Sequence, residues 1–153
     1  MSKADEVLTE ITSLLKSNKI KITPQRLLIA EALIKLGHPT ISEIYRYAAE
    51  RSPLIGLATV YRTIHLFKKF GLIGELTKMR GRTRFEVRNS LHMNVECIFC
   101  GNITDIHSPL LKRALSSLKR EGVKVIDCEV LIKSVCDNCH KKIKIARSLK
   151  SVI

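Results

Sequence analysis

The stretch "GLATVYRTIHLFKKFGLIGELTKMRGRTRFEVR", Gly56 to Arg88, changes its hydrophobic period halfway along. Up to Lys69, the residues Val60, Ile64 and Phe67 recur at the spacing of one helical face, and Gly71 supplies a stop. Beyond it, "LIGELTK" and "RTRFEVR" read as short strands joined by the Gly-containing basic turn "MRGR". A helix running into a basic hairpin is the end of a winged helix if further short helices precede it.

They do. Residues 5–17 place Val7, Ile11, Leu14 and Leu15 on one helical face. "KITPQRLLIAEALIKLGH" carries Thr23 as a cap, Pro24 in the first turn and Gly37 at the end. "TISEIYRYAAERS" opens with Thr40 and Glu43 in capping-box spacing. In such a layout the last helix before the wing enters the major groove. Its exposed side is expected to offer Thr59, Tyr61, Arg62, Thr63 and His65. Hydroxyls can reach phosphates, and Arg can read guanine or clamp the backbone. Arg80, Arg82 and Arg84 suit an adjacent groove or the phosphates, and Lys21 adds a cation ahead of the second helix. Each residue alone also reads as part of a solvated face; the set favours double-stranded DNA.

The bulk charge agrees. The 153 residues carry a net charge of +13. Sixteen Lys and Arg stand against eight Asp and Glu through Arg88, and eleven against six beyond it. A surface this basic attracts polyanions, although charge alone also serves solubility. The length suits one ordinary domain or two small ones, whose thin cores call for a metal or a partner subunit. No apolar run approaches the roughly 20 residues that span a bilayer. The amphipathic start "MSKADEVLTEITSLLKS" lacks a signal-peptide core, so a cytoplasmic location is expected.

After Asn89 the pattern becomes short strand, thiol pair, helix, strand, thiol pair, with the hinge expected in "EVRNSLH". "SPLLKRALSSLKREG" reads as a helix capped by Ser108 and ended by Gly122, and "VKVIDCEVLIKSV" as strand material on either side of Asp127. Two CxxC pairs, Cys97/Cys100 and Cys136/Cys139, suit a tetrahedral structural zinc, one per chain, at about 2.3 Å from each sulfur. Redox dithiols are the rival, but neither pair is expected to follow a strand into a helix in a βαβ context, and no helix N-terminus is evident to activate a thiol. A closed four-thiolate site leaves other ligands for any functional metal. His38, Glu86, His92, Asn94, Asp105 and His107 are the candidates; imidazole with carboxylate suits Fe(II), Mn(II) or Zn(II).

"KITPQR", "GHPTISEIY", "IGLATVYRTIHLFKKFGLI" and the paired "CIFCG…CDNC" together resemble the ferric uptake regulator family from about Ile20 to His140. The resemblance implies an α+β protein: a winged-helix DNA-binding domain over 1–88 and a small zinc-stapled α/β dimerisation domain over 89–153. It implies a homodimeric, metal-dependent repressor of a pseudo-palindromic operator, acting in metal homeostasis or the peroxide response, and not an enzyme. His38, Glu86, His92, Asn94 and Asp105 fall on the family's regulatory metal positions, for a second divalent ion. Asn94 departs from the family, which has histidine there; His107 or water is an alternative ligand. Asp105, rather than Glu, looks like the peroxide-sensing branch, where metal-driven oxidation strikes a ligand histidine, here His92 or His38. The competing reading is a constitutive DNA-binding protein with structural zinc alone, and Asn94 is its cue. Cys128 is expected to be a buried small hydrophobe, with a second site near Asp127, Glu129 and His107 as the alternative. "HKKIKIARSLKSVI" is expected to be a solvated tail.

Overall fold

The computed structural model describes residues 3–79, 82–88 and 90–150. The chain divides into two compact units, Met1–Asn89 and Ser90–Ile153.

In the first unit, helices α1 (Lys3–Ser17), α2 (Pro24–Leu36), α3 (Ile41–Ala49) and α4 (Leu57–Lys69) precede strands β1 (Ile73–Met79) and β2 (Arg82–Val87). Val7, Ile11 and Leu15 make the buried stripe of α1, whereas Leu14, expected beside them, is 40% exposed. Thr23 caps α2 by accepting from the Arg26 amide at 3.3 Å, and Pro24 occupies the first turn. Buried Ile29, Ala30, Ala32 and Leu33 make α2 the central helix, touched by α1, α3 and α4. The capping box on α3 is complete: the Glu43 amide donates to Thr40 Oγ1, and the Thr40 amide donates to Glu43 Oε2 at 2.7 Å.

Helix α4 buries Val60, Thr63, Ile64 and Phe67. It ends on Gly71 at φ 68°, which a side chain would resist. The Gly71 amide donates to Lys68 O and the Leu72 amide to Phe67 O, both at 2.9 Å. This pair of bonds is a Schellman motif, and it turns the chain from α4 into the hairpin. β1 and β2 pair antiparallel, with Gly74 opposite Glu86 and an irregularity between Leu76 and Met79. Leu72, Ile73 and Phe85 seal the core beneath them.

The second unit holds β3 (Met93–Cys97), β4 (Ile103–Ile106), α5 (Pro109–Arg120), β5 (Leu131–Ser134) and α6 (Asp137–Lys150). Its sheet runs β4-β3-β5, with β3 antiparallel to β4 and parallel to β5. Ser108 caps α5 through the Leu110 amide, and Pro109 begins it. No side chain of α5 is buried. Two expectations need correction here. Only Leu131–Ser134 of "VKVIDCEVLIKSV" forms a strand; Val123–Val130 takes no regular form. The basic segment after Cys139, expected as a tail, continues α6 to Lys150. Its nucleation falls to Asp137, an acidic residue in the first turn, where the helix dipole favours it. Among the described residues no helix is long and apolar enough to cross a membrane.

Candidate metal centres and nucleic-acid surface

The four expected zinc ligands converge. Cys97, Cys100, Cys136 and Cys139 place their sulfurs within 4.8 Å of one another. Cys100 Sγ and Cys136 Sγ stand 3.8 Å apart, close to the edge of a tetrahedron whose corners lie about 2.3 Å from a zinc ion. Cys97 ends β3, and the Gly101 amide donates back to Cys97 O at 2.8 Å, forming the first knuckle. Cys136 follows β5, and Cys139 lies in the first turn of α6. The second pair runs from a strand into a helix, but among the described residues no strand follows α6, so the expected lack of a βαβ context holds.

Backbone amides prepare the sulfurs unequally. The Cys136 N–H, then that of Cys100, holds the Cys97 thiol down at about 6, favouring the thiolate. Cys139 is pushed up to about 12, first by its hydrogen bond with Cys136 and then by burial. One thiolate among several close sulfurs keeps its neighbour protonated, and a cation placed among them reverses that preference. The donor set fits zinc.

In the first unit, His38 Nε2 lies 3.6 Å from Glu86 Oε2, both side chains largely covered. Their placement is built locally. The Phe85 amide donates to Pro39 O at 2.9 Å, adding the turn after α2 to the β2 edge. Arg84 Nη1 donates to His38 O at 2.6 Å and also faces Glu43 Oε2 at 3.6 Å. Arg84 was expected at DNA with its neighbours; it is instead a tether between His38 and the cap of α3. Sequence could not reveal this, because the partners are 46 residues apart. Gly74 makes room for Glu86: a Cβ there would lie 3.2 Å from Glu86 Oε1.

In the second unit, Asn94 and Asp105 are partners across β3 and β4. Asn94 is buried at 2% exposure, and Asp105 is exposed. His92 Nδ1 lies 2.8 Å from Ser90 O, and the His92 and His107 rings meet edge-on with centroids 5.9 Å apart. Cys128 is half-buried rather than buried, its amide donating to Asp127 Oδ1. Among the described residues no trio of metal-ligating side chains forms around it.

On α4, Tyr61 (55% exposed), Arg62 and His65 face solvent, and Thr59 is half-buried. Thr63 does not join them. At 4% exposure it lies in the inward stripe with Val60, Ile64 and Phe67, because helical spacing of three and four residues puts it there. Lys21 is exposed, with its carbonyl accepting from the Arg26 guanidinium. Arg82 is exposed, whereas Arg80 lies outside the described residues. An open hollow of about 480 Å³ brings Tyr61 and Arg82 together with Arg46 of α3. Arg46 was missed in the sequence, where it reads as one more surface cation.

Residues 17–133 match the ferric uptake regulator family. The peroxide operon regulator of Bacillus subtilis is 36% identical over 137 residues, covering 88% of this chain and 94% of that protein. The crystal structure of the Campylobacter jejuni peroxide stress regulator is 30% identical, covering 84% of this chain and 98% of that one, with a TM-score of 0.69. A ferric uptake regulator structure from Pseudomonas aeruginosa, 22% identical over 82% and 97%, shares the fold at a TM-score of 0.72. The chain belongs to the ferric uptake regulator family, and its sequence relatives lie in the peroxide-responsive branch. Its architecture is an N-terminal winged helix followed by a C-terminal α/β domain. It is a metal-dependent transcriptional repressor of metal homeostasis or the peroxide response, not an enzyme. Zinc and a regulatory divalent metal are the family's cofactors. The constitutive reading is not favoured.

Proposed function

We propose that this chain is a peroxide-responsive repressor, working in the cytoplasm, that binds a pseudo-palindromic operator as a homodimer when a regulatory divalent cation is bound. Residues 1–88 form the DNA-binding domain, and 89–153 the dimerisation domain with Cys97, Cys100, Cys136 and Cys139 around one zinc. His38, Glu86, His92, Asn94 and Asp105 hold the regulatory ion, either Fe(II), Mn(II) or Zn(II). Lys21, Thr59, Tyr61, Arg62 and Arg82 meet DNA, joined by Arg46, with Arg80 expected beside Arg82.

The observation that supports this reading is that β2 carries a candidate residue for each role. Glu86, 3.6 Å from His38, and Arg82 belong to one six-residue strand, with Arg84 fastened to the His38 carbonyl between them. A bound cation supplies positive charge that holds imidazole and carboxylate ligands together. What the chain does is pass that restraint along a hydrogen-bonded hairpin to the wing. Differential stability of two conformations is all a switch requires.

The test is binding of zinc-loaded protein to its own upstream DNA at fixed salt during a Mn(II) titration. A saturable rise in affinity, lost in His38→Ala and His92→Ala, is expected. Flat binding across the titration refutes the switch. Arg62→Ala should weaken operator binding while zinc content stays at one per chain.

A further inference from the structure

The departure at Asn94 removes an imidazole from the regulatory set, and the same sheet places another one rung away. β3 and β4 pair with Met93 opposite Ile106 and Asn94 opposite Asp105. Continuing that register by one residue sets His92 opposite His107. Side chains alternate between faces along a strand, so His92 and Asn94 share a face, and so do Asp105 and His107. Two facing rungs thus carry two imidazoles, one amide and one carboxylate on one side of the ladder. The His92 and His107 rings, 5.9 Å apart and inclined by 66°, are near neighbours in space as well as in register.

The two rings are also set to the same tautomer. His92 Nδ1 lies 2.8 Å from Ser90 O, and His107 Nδ1 lies 3.4 Å from Leu91 O. A carbonyl only accepts, so Nδ1 is the donor in each contact, and Nε2 is the nitrogen left for a metal. Backbone carbonyls fixing a histidine through Nδ1 are a usual support for metal ligation through Nε2. An exposed histidine kept for solubility would need neither the facing ring nor the anchored nitrogen.

We propose that His107 is a ligand of the regulatory metal, donating Nε2 beside His92 and Asp105 and restoring the imidazole that Asn94 lacks. The inference rests on the regulatory site proposed above and deepens it. Imidazole binds a divalent transition ion more firmly than an amide oxygen, so the site regains nitrogen character without a histidine at 94.

The experiment uses the zinc-loaded full-length protein and Mn(II) as the probe. Pulsed electron paramagnetic resonance counts the imidazole nitrogens coupled to bound Mn(II), and a parallel titration gives the affinity. His107→Gln should lose one imidazole from the signal and weaken Mn(II) binding roughly 10-fold or more. Adding Asn94→His to that variant should restore the nitrogen count. One zinc per chain in every variant shows that the sheet has kept its fold. If His107→Gln keeps every coupled nitrogen while His92→Ala abolishes binding, the regulatory site stands and the role of His107 is refuted. A weakened affinity with an unchanged nitrogen count equally refutes ligation. If the wild-type protein binds no Mn(II) beyond its zinc, the regulatory site itself falls, and this inference with it.

Discussion

Met1–Asn89 closes Leu15, Ile29, Leu33, Ile44, Val60 and Phe67 off from solvent, whereas Ser90–Ile153 buries Asn94, Glu96 and Cys97 and fully buries no side chain of α5. The first unit rests on hydrophobic burial, at about 1.5–3 kcal/mol for each large apolar side chain. The second lacks that resource. Leu110 on α5, with Ile126 and Val135 beyond it, remains exposed. A small unit with an open apolar face needs a staple inside it and a cover over it. In the function proposed above, the four-cysteine cluster answers the first need and a second subunit the second.

Ways to break this comparison follow in order of size. Cys97→Ser should unfold the second unit outright, since the binding energy of a structural zinc, about 10–16 kcal/mol in small domains, is folding energy. Zinc analysis and calorimetry would read the loss, with a melting transition of the first unit surviving. If the variant stays zinc-loaded and dimeric, the staple lies elsewhere. Phe67→Ala should destabilise the first unit by about 3–5 kcal/mol and leave zinc content at one per chain. Loss of zinc along with that core would show the units to be one cooperative system. Leu118→Lys, on the open side of α5, should shift sedimentation toward monomer with little change in zinc; an unchanged dimer would move the interface off α5.

The smallest effect concerns the α3 cap. Burial works against the Glu43 charge, but bonds from the Thr40 amide and hydroxyl, with Arg84 nearby, hold its carboxyl below the usual 4.5. A depressed carboxyl stabilises the fold above its ordinary value and loses that contribution as pH falls through the depressed one. First-unit stability measured from pH 6 to 3 should therefore drop more steeply than in Glu43→Gln. Thr40→Ala should cost about 1 kcal/mol at neutral pH. Parallel acid curves for wild type and Glu43→Gln would remove the cap from the account.

Local features were legible because their causes are local. Thr23 with Pro24, Thr40 with Glu43, and the turn after Phe67 each carry their own hydrogen-bonding logic within five residues. The two thiol pairs were legible because a tetrahedral ion demands four sulfurs whatever separates them. Thr63 misled, because its hydroxyl suggested a surface while its place in the helical period set it inward. Helix α6 misled because its apolar residues are few, and only Asp137 marked a start. The role of Arg84 was invisible: an arginine beside two others in a hairpin looks like a third phosphate clamp until the chain folds His38 against it.

The β2 strand has a consequence for how this protein can change over evolutionary time. Arg82, Arg84 and Glu86 alternate along one side of it, spanning about 13 Å. One inserted or deleted residue in the hairpin would turn all three to the opposite side and bring Phe85 out of the core. In the function proposed above, operator preference and metal preference are therefore inherited together. Divergence in either must come by substitution at fixed length, and lineages that exchange their wings would exchange Glu86 with them.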